Sequence, residues 1–161
     1  MSKNPWLTFA LFAAICFSVA AVGSLWTATS VRTWYVGLRK PSFNPPSWVF
    51  GPVWSVLYLS MAASAWLVWR NAGWNAPRAA FIVFFIQLGL NLAWSGLFFG
   101  LHNPGLAFVD ILALLAAIVA TAMAFRPFSP AAFWLLIPYA MWVGFASLLN
   151  FEIWRLNGGP S

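Results

Sequence analysis

No feature of this chain restricts its fold more than five apolar runs, each about as long as a helix needs to cross a bilayer. They cover about residues 5–28, 46–69, 79–101, 104–125 and 130–154. Charges sit at their edges: Arg70 ends the second, Arg78 and His102 bracket the third, and Arg126 ends the fourth. The first three contain no formal charge, the fourth contains Asp110, and the fifth carries Glu152 and Arg155 near its end. Hydrocarbon offers no water to a free backbone, so each run is expected to be helical. The expected fold is therefore an all-α integral membrane protein, a five-transmembrane-helix bundle forming a single domain over residues 1–161. Composition agrees: 6% of residues are charged, against about a quarter in soluble domains.

Lys3 followed by an apolar run, with Ser18-Val19-Ala20 behind it, resembles a signal peptide. The run continues to about Trp26, longer than a signal core, so the expectation is a retained helix. Lys plus Arg number eight and Asp plus Glu two. Because the basic residues flank apolar runs, the partner they imply is anionic lipid and not nucleic acid. They do not orient the bundle: Lys3, Arg70, Arg78 and Arg126 fall on one side, and Arg32, Arg39, Lys40 and Arg155 on the other. One cysteine, Cys16, and one histidine, His102, cannot build a zinc or iron–sulfur site. No metal and no cofactor are expected.

Three connectors are short, at 70–78, 102–103 and 126–129, which predicts antiparallel neighbours. The connector at about 30–44 is long, and long ordered loops are often functional. Its second half and the start of the next run read "WYVGLRKPSFNPPSWVFGPVW" over residues 34–54. Asn44 is placed to cap the second helix, with Pro45 or Pro46 in its first turn. Two readings stand for this stretch. In one it is an interfacial belt of Trp34, Tyr35, Phe43, Trp48 and Phe50 with snorkelling Arg39 and Lys40. In the other it is a stiff lid over one end of the bundle, with Arg39 and Lys40 at the mouth of a cavity.

Helical spacing gathers polar and aromatic side chains on particular faces. Trp54, Tyr58, Ala62 and Ala65 share one in the second run. Gln87, Asn91, Trp94, Ser95 and Phe98 share one in the third. Pro138, Trp142, Ala146 and Asn150 recur every four residues in the fifth. An amide in lipid needs a partner, so Gln87, Asn91 and Asn150 are expected to face protein or ligand. Large rings with few polar groups suit a flat apolar molecule with one polar edge, while the competing reading of each ring is helix packing. Asp110, near the start of its helix, is expected to be structural, His102 a solvated turn residue, and Glu152–Arg155 an i,i+3 ion pair. Pro138 removes a helix hydrogen bond and Pro52 lies early enough in its helix to matter less. Gly89 with Ala93, and Gly96 with Gly100, have the small-residue spacing of close helix contacts.

The stretch "WYVGLRKPSFNPPSWVFGPVWSVLYLSM", with "NLAWSGLFF" and "PYAMWVGFASLLNFEIWRLN" downstream, resembles the translocator protein family, also called tryptophan-rich sensory proteins or peripheral benzodiazepine receptors. The blocks occur in family order over about residues 34–157, and twelve tryptophans agree with the second name. The resemblance implies a five-helix bundle, commonly a homodimer, that binds porphyrins such as protoporphyrin IX and haem. Eukaryotic members are implied to bind sterol, and the family to bind isoquinoline and benzodiazepine ligands. It places ligand contacts at Tyr35, Pro45, Trp54, Asn91, Trp94, Trp142 and Ala146; helical spacing adds Tyr58. Ile111 falls where some members carry Cys. "LLNFEIWR" departs from the proposed sterol pattern, because Phe151 stands where Tyr is expected.

Three functions from different classes are open to such a chain. The first is a membrane protein that binds tetrapyrroles for sensing or transport. The second is light-dependent oxidative degradation of protoporphyrin IX, in which Trp54 and Trp142 would act and no conventional catalytic residue is needed. The third is a secondary transporter of another solute, for which the chain lacks a paired charge at mid-membrane. A retinal pigment is excluded, since no Lys lies inside a run.

Overall fold

The computed structural model describes residues 4–75 and 77–159. Lys3, counted above among the flanking charges, lies outside them. The five long helices are α1 (Pro5–Ser30), α2 (Ser47–Ala72), α3 (Arg78–Ser95), α4 (Pro104–Phe125) and α5 (Pro130–Leu156). All five are long and apolar enough to span a membrane. No strand occurs among the described residues.

Three helices start the same way, with a capping side chain followed by proline. Asn4 Oδ1 accepts from Trp6 N at 3.0 Å, Asn103 Oδ1 from Leu106 N at 3.0 Å, and Ser129 Oγ from Ala132 N at 3.2 Å. Each cap satisfies an amide that has no partner in the first turn, and the proline's missing N–H costs nothing there. α2 departs from the expectation. Pro46 occupies the cap position and no side chain caps the helix. Asn44 is turned back into the loop: its Oδ1 accepts from the Tyr35 hydroxyl at 3.1 Å and its backbone N–H closes a turn on Pro41 O at 3.1 Å.

The third run is not one uniform helix. After Ser95 it widens into a π turn, Gly96–Gly100, in which Leu101 N–H donates to Gly96 O at 2.8 Å. His102 then takes a left-handed conformation, φ 52°, and ends the segment. π turns place an extra residue in one turn and rotate the residues beyond it. Phe98, within this turn, is buried in the bundle.

The helices form a closed ring in the order α1–α2–α5–α4–α3. α2 and α3, though joined by a short link, are therefore not side-by-side neighbours; they meet across the interior through Tyr58–Asn91 and Met61–Gln87. The half of the bundle remote from the 30–44 loop is solid. Phe12, Phe81, Phe84 and Phe125 pack there with ring centroids 5.8–6.3 Å apart, and Ala62 and Ala65 of α2 are fully buried in the same core cluster. Trp66 closes α1 onto α2 at that end, donating its indole N–H to Pro5 O at 2.8 Å and stacking on Trp6. Toward the loop α1 leans on the third segment instead: a Cβ on Gly23 would stand 3.1 Å from Ser95 Oγ, and the Trp26 ring covers Gly96 and Gly100.

Candidate functional site

The loop half of the bundle is hollow. A cavity of about 760 Å³ lies between the five helices beneath the α1–α2 loop. α2 supplies Phe50, Trp54 and Tyr58 to its wall, α3 and the π turn supply Asn91, Trp94, Ser95, Phe98 and Phe99, and α5 supplies Trp142, Val143, Ala146 and Asn150. Seven of the eight residues singled out in the sequence line it: Tyr35, Trp54, Tyr58, Asn91, Trp94, Trp142 and Ala146. Pro45 does not; its carbonyl accepts from Asn44 Nδ2 at 3.3 Å, in the loop. Ile111 and Leu114 of α4 complete the inner wall.

A hydrogen-bonded chain forms the floor. The Tyr58 hydroxyl donates to Asn91 Oδ1 at 2.5 Å, Asn91 Nδ2 donates to the Tyr139 hydroxyl at 2.7 Å, and that hydroxyl donates to Gln87 Oε1 at 2.9 Å. Gln87 Nε2 ends the chain on Met61 Sδ at 3.7 Å. On the α4–α5 side, Trp94 Nε1 donates to Asn150 Oδ1 at 2.9 Å and Asn150 Nδ2 to Pro104 O at 2.8 Å. All three membrane amides thus face protein, as their burial in lipid demands.

With those groups paired, the interior wall is aromatic. Trp94 and Phe98 stack with centroids 5.2 Å apart, Trp54 lies 5.7 Å from Tyr58, and Phe50 meets Trp142 edge-on at 5.9 Å. The Trp142 indole N–H is buried without a partner among the described residues, which leaves one donor unused at the wall.

The loop is tied down over this space. Tyr35 is buried against Phe98 and Phe99. Burial raises its phenol above the ordinary tyrosine value, so the hydroxyl stays protonated and donates to Asn44. Trp34 stacks on His102 at 4.4 Å, and His102 in turn meets Ser30 Oγ at 3.0 Å; the histidine is exposed but engaged. Asn157, just past α5, clasps the backbone of Arg39: its Oδ1 accepts from Arg39 N at 3.0 Å and its Nδ2 donates to Arg39 O at 2.9 Å. Trp48 and Phe43, by contrast, point outward, 75% and 46% exposed. The stretch is thus divided between an inward cover and an outward aromatic rim.

The basic residues differ from the sequence expectation. Neither Arg39 nor Lys40 lines the cavity. The Lys40 ammonium sits 4.6 Å over the Tyr35 ring and donates to Leu38 O at 3.1 Å. Arg32 is the arginine on the wall. The other contribution missing from the sequence reading is α1, whose Phe17, Ala20, Gly23, Ser24, Thr27 and Ala28 face the cavity. A signal existed: small residues recur at 20, 23, 24, 27 and 28 in a run whose other positions are Ala21, Val22, Leu25 and Trp26.

Elsewhere, Arg155 Nη2 and a Glu152 carboxylate oxygen pair at 2.6 Å. Asp110 is not on the cavity wall; its Oδ2 is buried without a partner among the described residues. No group of three or more potential metal ligands gathers among those residues.

Five apolar helices ringing an aromatic chamber, with an ordered loop across one end, define an integral, multi-pass membrane protein. Its relatives make the class specific. The TspO/MBR family profile matches residues 12–155. The tryptophan-rich protein TspO of Archaeoglobus fulgidus is 47% identical over 140 residues, covering 87% of this chain and 90% of the relative. That of Chlorobaculum tepidum is 44% identical over 153 residues, covering 94% and 96%, and the human translocator protein 40% identical over 157 residues, covering 96% and 93%. The chain belongs to the TspO/MBR family.

Proposed function

We propose that this protein binds porphyrins, protoporphyrin IX and haem among them, in the cavity beneath the α1–α2 loop, and serves to sense or carry them. The observation that carries the reading is the cavity itself: about 760 Å³, within the range of small-molecule sites, with an aromatic wall and few free polar groups. Trp54, Tyr58, Trp94, Trp142 and Ala146 would meet the macrocycle, Tyr35 would cover it, and Asn91 would hold the floor rigid. Pro45 would act from the loop, through its stiffness and not by contact. The same apolar wall suits sterol-like, isoquinoline and benzodiazepine molecules.

Light-dependent degradation of protoporphyrin IX is the second reading. It is supported by two tryptophans, Trp54 and Trp142, on the cavity wall, which would donate electrons to an excited porphyrin, with oxygen as the oxidant. Absorption titration with protoporphyrin IX in the dark, then under illumination, separates the two. Binding with a stable porphyrin spectrum supports sensing or carriage. Loss of the porphyrin bands with a new product band supports degradation, and no spectral change at any concentration refutes both. Secondary transport of an unrelated solute has less support, because no paired charge lines the cavity among the described residues.

A homodimer is part of the proposal. One face of α3 presents Ile82, Phe85, Ile86, Gly89 and Ala93 to the outside of the bundle, and a second copy packed on Gly89 and Ala93 would approach closely.

A further inference from the structure

The cavity opens sideways, and Arg32 stands at the opening. Wall residues from α5 and the π turn, such as Val143, Leu149 and Phe98, are buried. Those from facing parts of α1 and α2 — Ser24, Ala28, Ser47, Gly51 and Ser55 — line the same cavity and are exposed. The mouth is therefore the gap between the loop-side halves of α1 and α2. Its origin is the way α1 leans. Gly23 and Trp26 hold α1 against Ser95, Gly96 and Gly100, while Trp66 fastens it to α2 only at the remote end. From Ser47 to Ser55 the gap runs roughly 12 Å along α2, away from the loop end of the bundle.

Chemistry along the gap changes with depth. At its outer edge lie Arg32, Thr29 and Ser47; Ser24, Thr27 and Ser55 continue a hydroxyl-bearing track inward; the aromatic chamber lies beyond. Other cations of the loop end are engaged or elsewhere: Lys40 on Tyr35 and Leu38 O, Arg155 on Glu152, and Arg39 off the wall. Arg32 makes no hydrogen bond or ion pair among the described residues. An unpaired guanidinium at the rim of an apolar chamber, reached from lipid, matches an amphiphile with a flat apolar body and a carboxylate edge.

We infer that Arg32 is the carboxylate anchor of the site and that the acidic edge of the ligand lodges at the α1–α2 gap, with its ring system inserted toward Trp54 and Trp142. This rests on the porphyrin reading above and adds to it an orientation, an anchoring residue and a lipid-facing entrance. Arg32 then selects acids over neutral analogues of the same shape.

The test compares protoporphyrin IX, a dicarboxylic acid, with its dimethyl ester. Each is titrated against the full-length protein in phosphatidylcholine nanodiscs, followed by tryptophan quenching. Arg32→Gln is expected to weaken binding of the acid about tenfold and leave the ester unchanged. Arg32→Lys should restore most of the loss, and Arg39→Gln should alter neither ligand. Equal acid affinity in Arg32→Gln and the unaltered protein, or equal losses for acid and ester, overturns the anchor while the porphyrin reading stands. Failure of the unaltered protein to bind either molecule overturns both.

Discussion

The Tyr58 hydroxyl and the Asn91 amide oxygen, 2.5 Å apart, join α2 to α3 across the floor of the cavity. The bond is the first of a chain that continues to Tyr139 and Gln87, so its members should not be equivalent. Tyr58→Phe removes one donor at the edge and is expected to cost about 0.6 kcal/mol, the average for hydrogen bonds between membrane helices, and no more than about 1.7 kcal/mol. Asn91→Ala removes the link shared by two tyrosines and should cost more, about 1–3 kcal/mol. Reversible unfolding in mixed micelles measures both; equal losses would mean that Asn91 is not the shared link.

The tryptophans should divide by position. Trp54 and Trp142 stand on the cavity wall; Trp66 is committed to Pro5 and Trp6 at the other end, and Trp69 also lies off the wall. Trp54→Phe and Trp142→Phe are each predicted to weaken protoporphyrin IX about two- to tenfold, or to slow its loss under light. Trp66→Phe and Trp69→Phe should change neither. Uniform effects across the four would place the ligand elsewhere.

Clasping of Arg39 by Asn157 predicts a loop whose order depends on a residue 118 positions away. Asn157→Ala should speed hydrogen exchange at the Arg39 amide and its neighbours, and saturating porphyrin should slow exchange over 36–43 in the unaltered protein. Identical exchange with and without ligand would reduce this stretch to a static cover.

Small residues of the third segment serve two surfaces. Trp26 of the same chain already covers Gly96 and Gly100. A Cβ on Gly89 meets nothing within 4 Å, and Ala93 is exposed. The proposed homodimer therefore predicts that Gly89→Leu and Ala93→Leu lower the mass of the detergent-solubilised assembly. Gly100→Leu should instead disturb α1 by pressing on Trp26, whose ring would lie 3.2 Å from the new Cβ. Unchanged mass in the first two variants, with helicity intact, would exclude this face as the interface.

Length and local chemistry in the chain were sufficient for the five helices, for starts such as Asn103-Pro104 and Ser129-Pro130, and for the faces that hold Asn91 and Trp94 or Trp142 and Asn150. These are near-neighbour properties, set by a rise of about 1.5 Å and a repeat of about 3.6 residues. Polar side chains made them legible, because an amide in lipid must turn inward. α1 offered only a weaker mark. Small and hydroxyl-bearing residues recur at 20, 23, 24, 27 and 28, but none is an amide or a charge that lipid would force inward, and small residues serve helix contacts as readily as a cavity wall. Only packing decided that Gly23 and Trp26 draw α1 onto the π turn, that this lean parts α1 from α2, and that Arg32 stands at the gap in place of Arg39 and Lys40. Asn44 shows the same limit on a smaller scale. Its type and position suit a helix cap, but Tyr35 lies within reach only once the loop has folded, and the amide goes to the tyrosine.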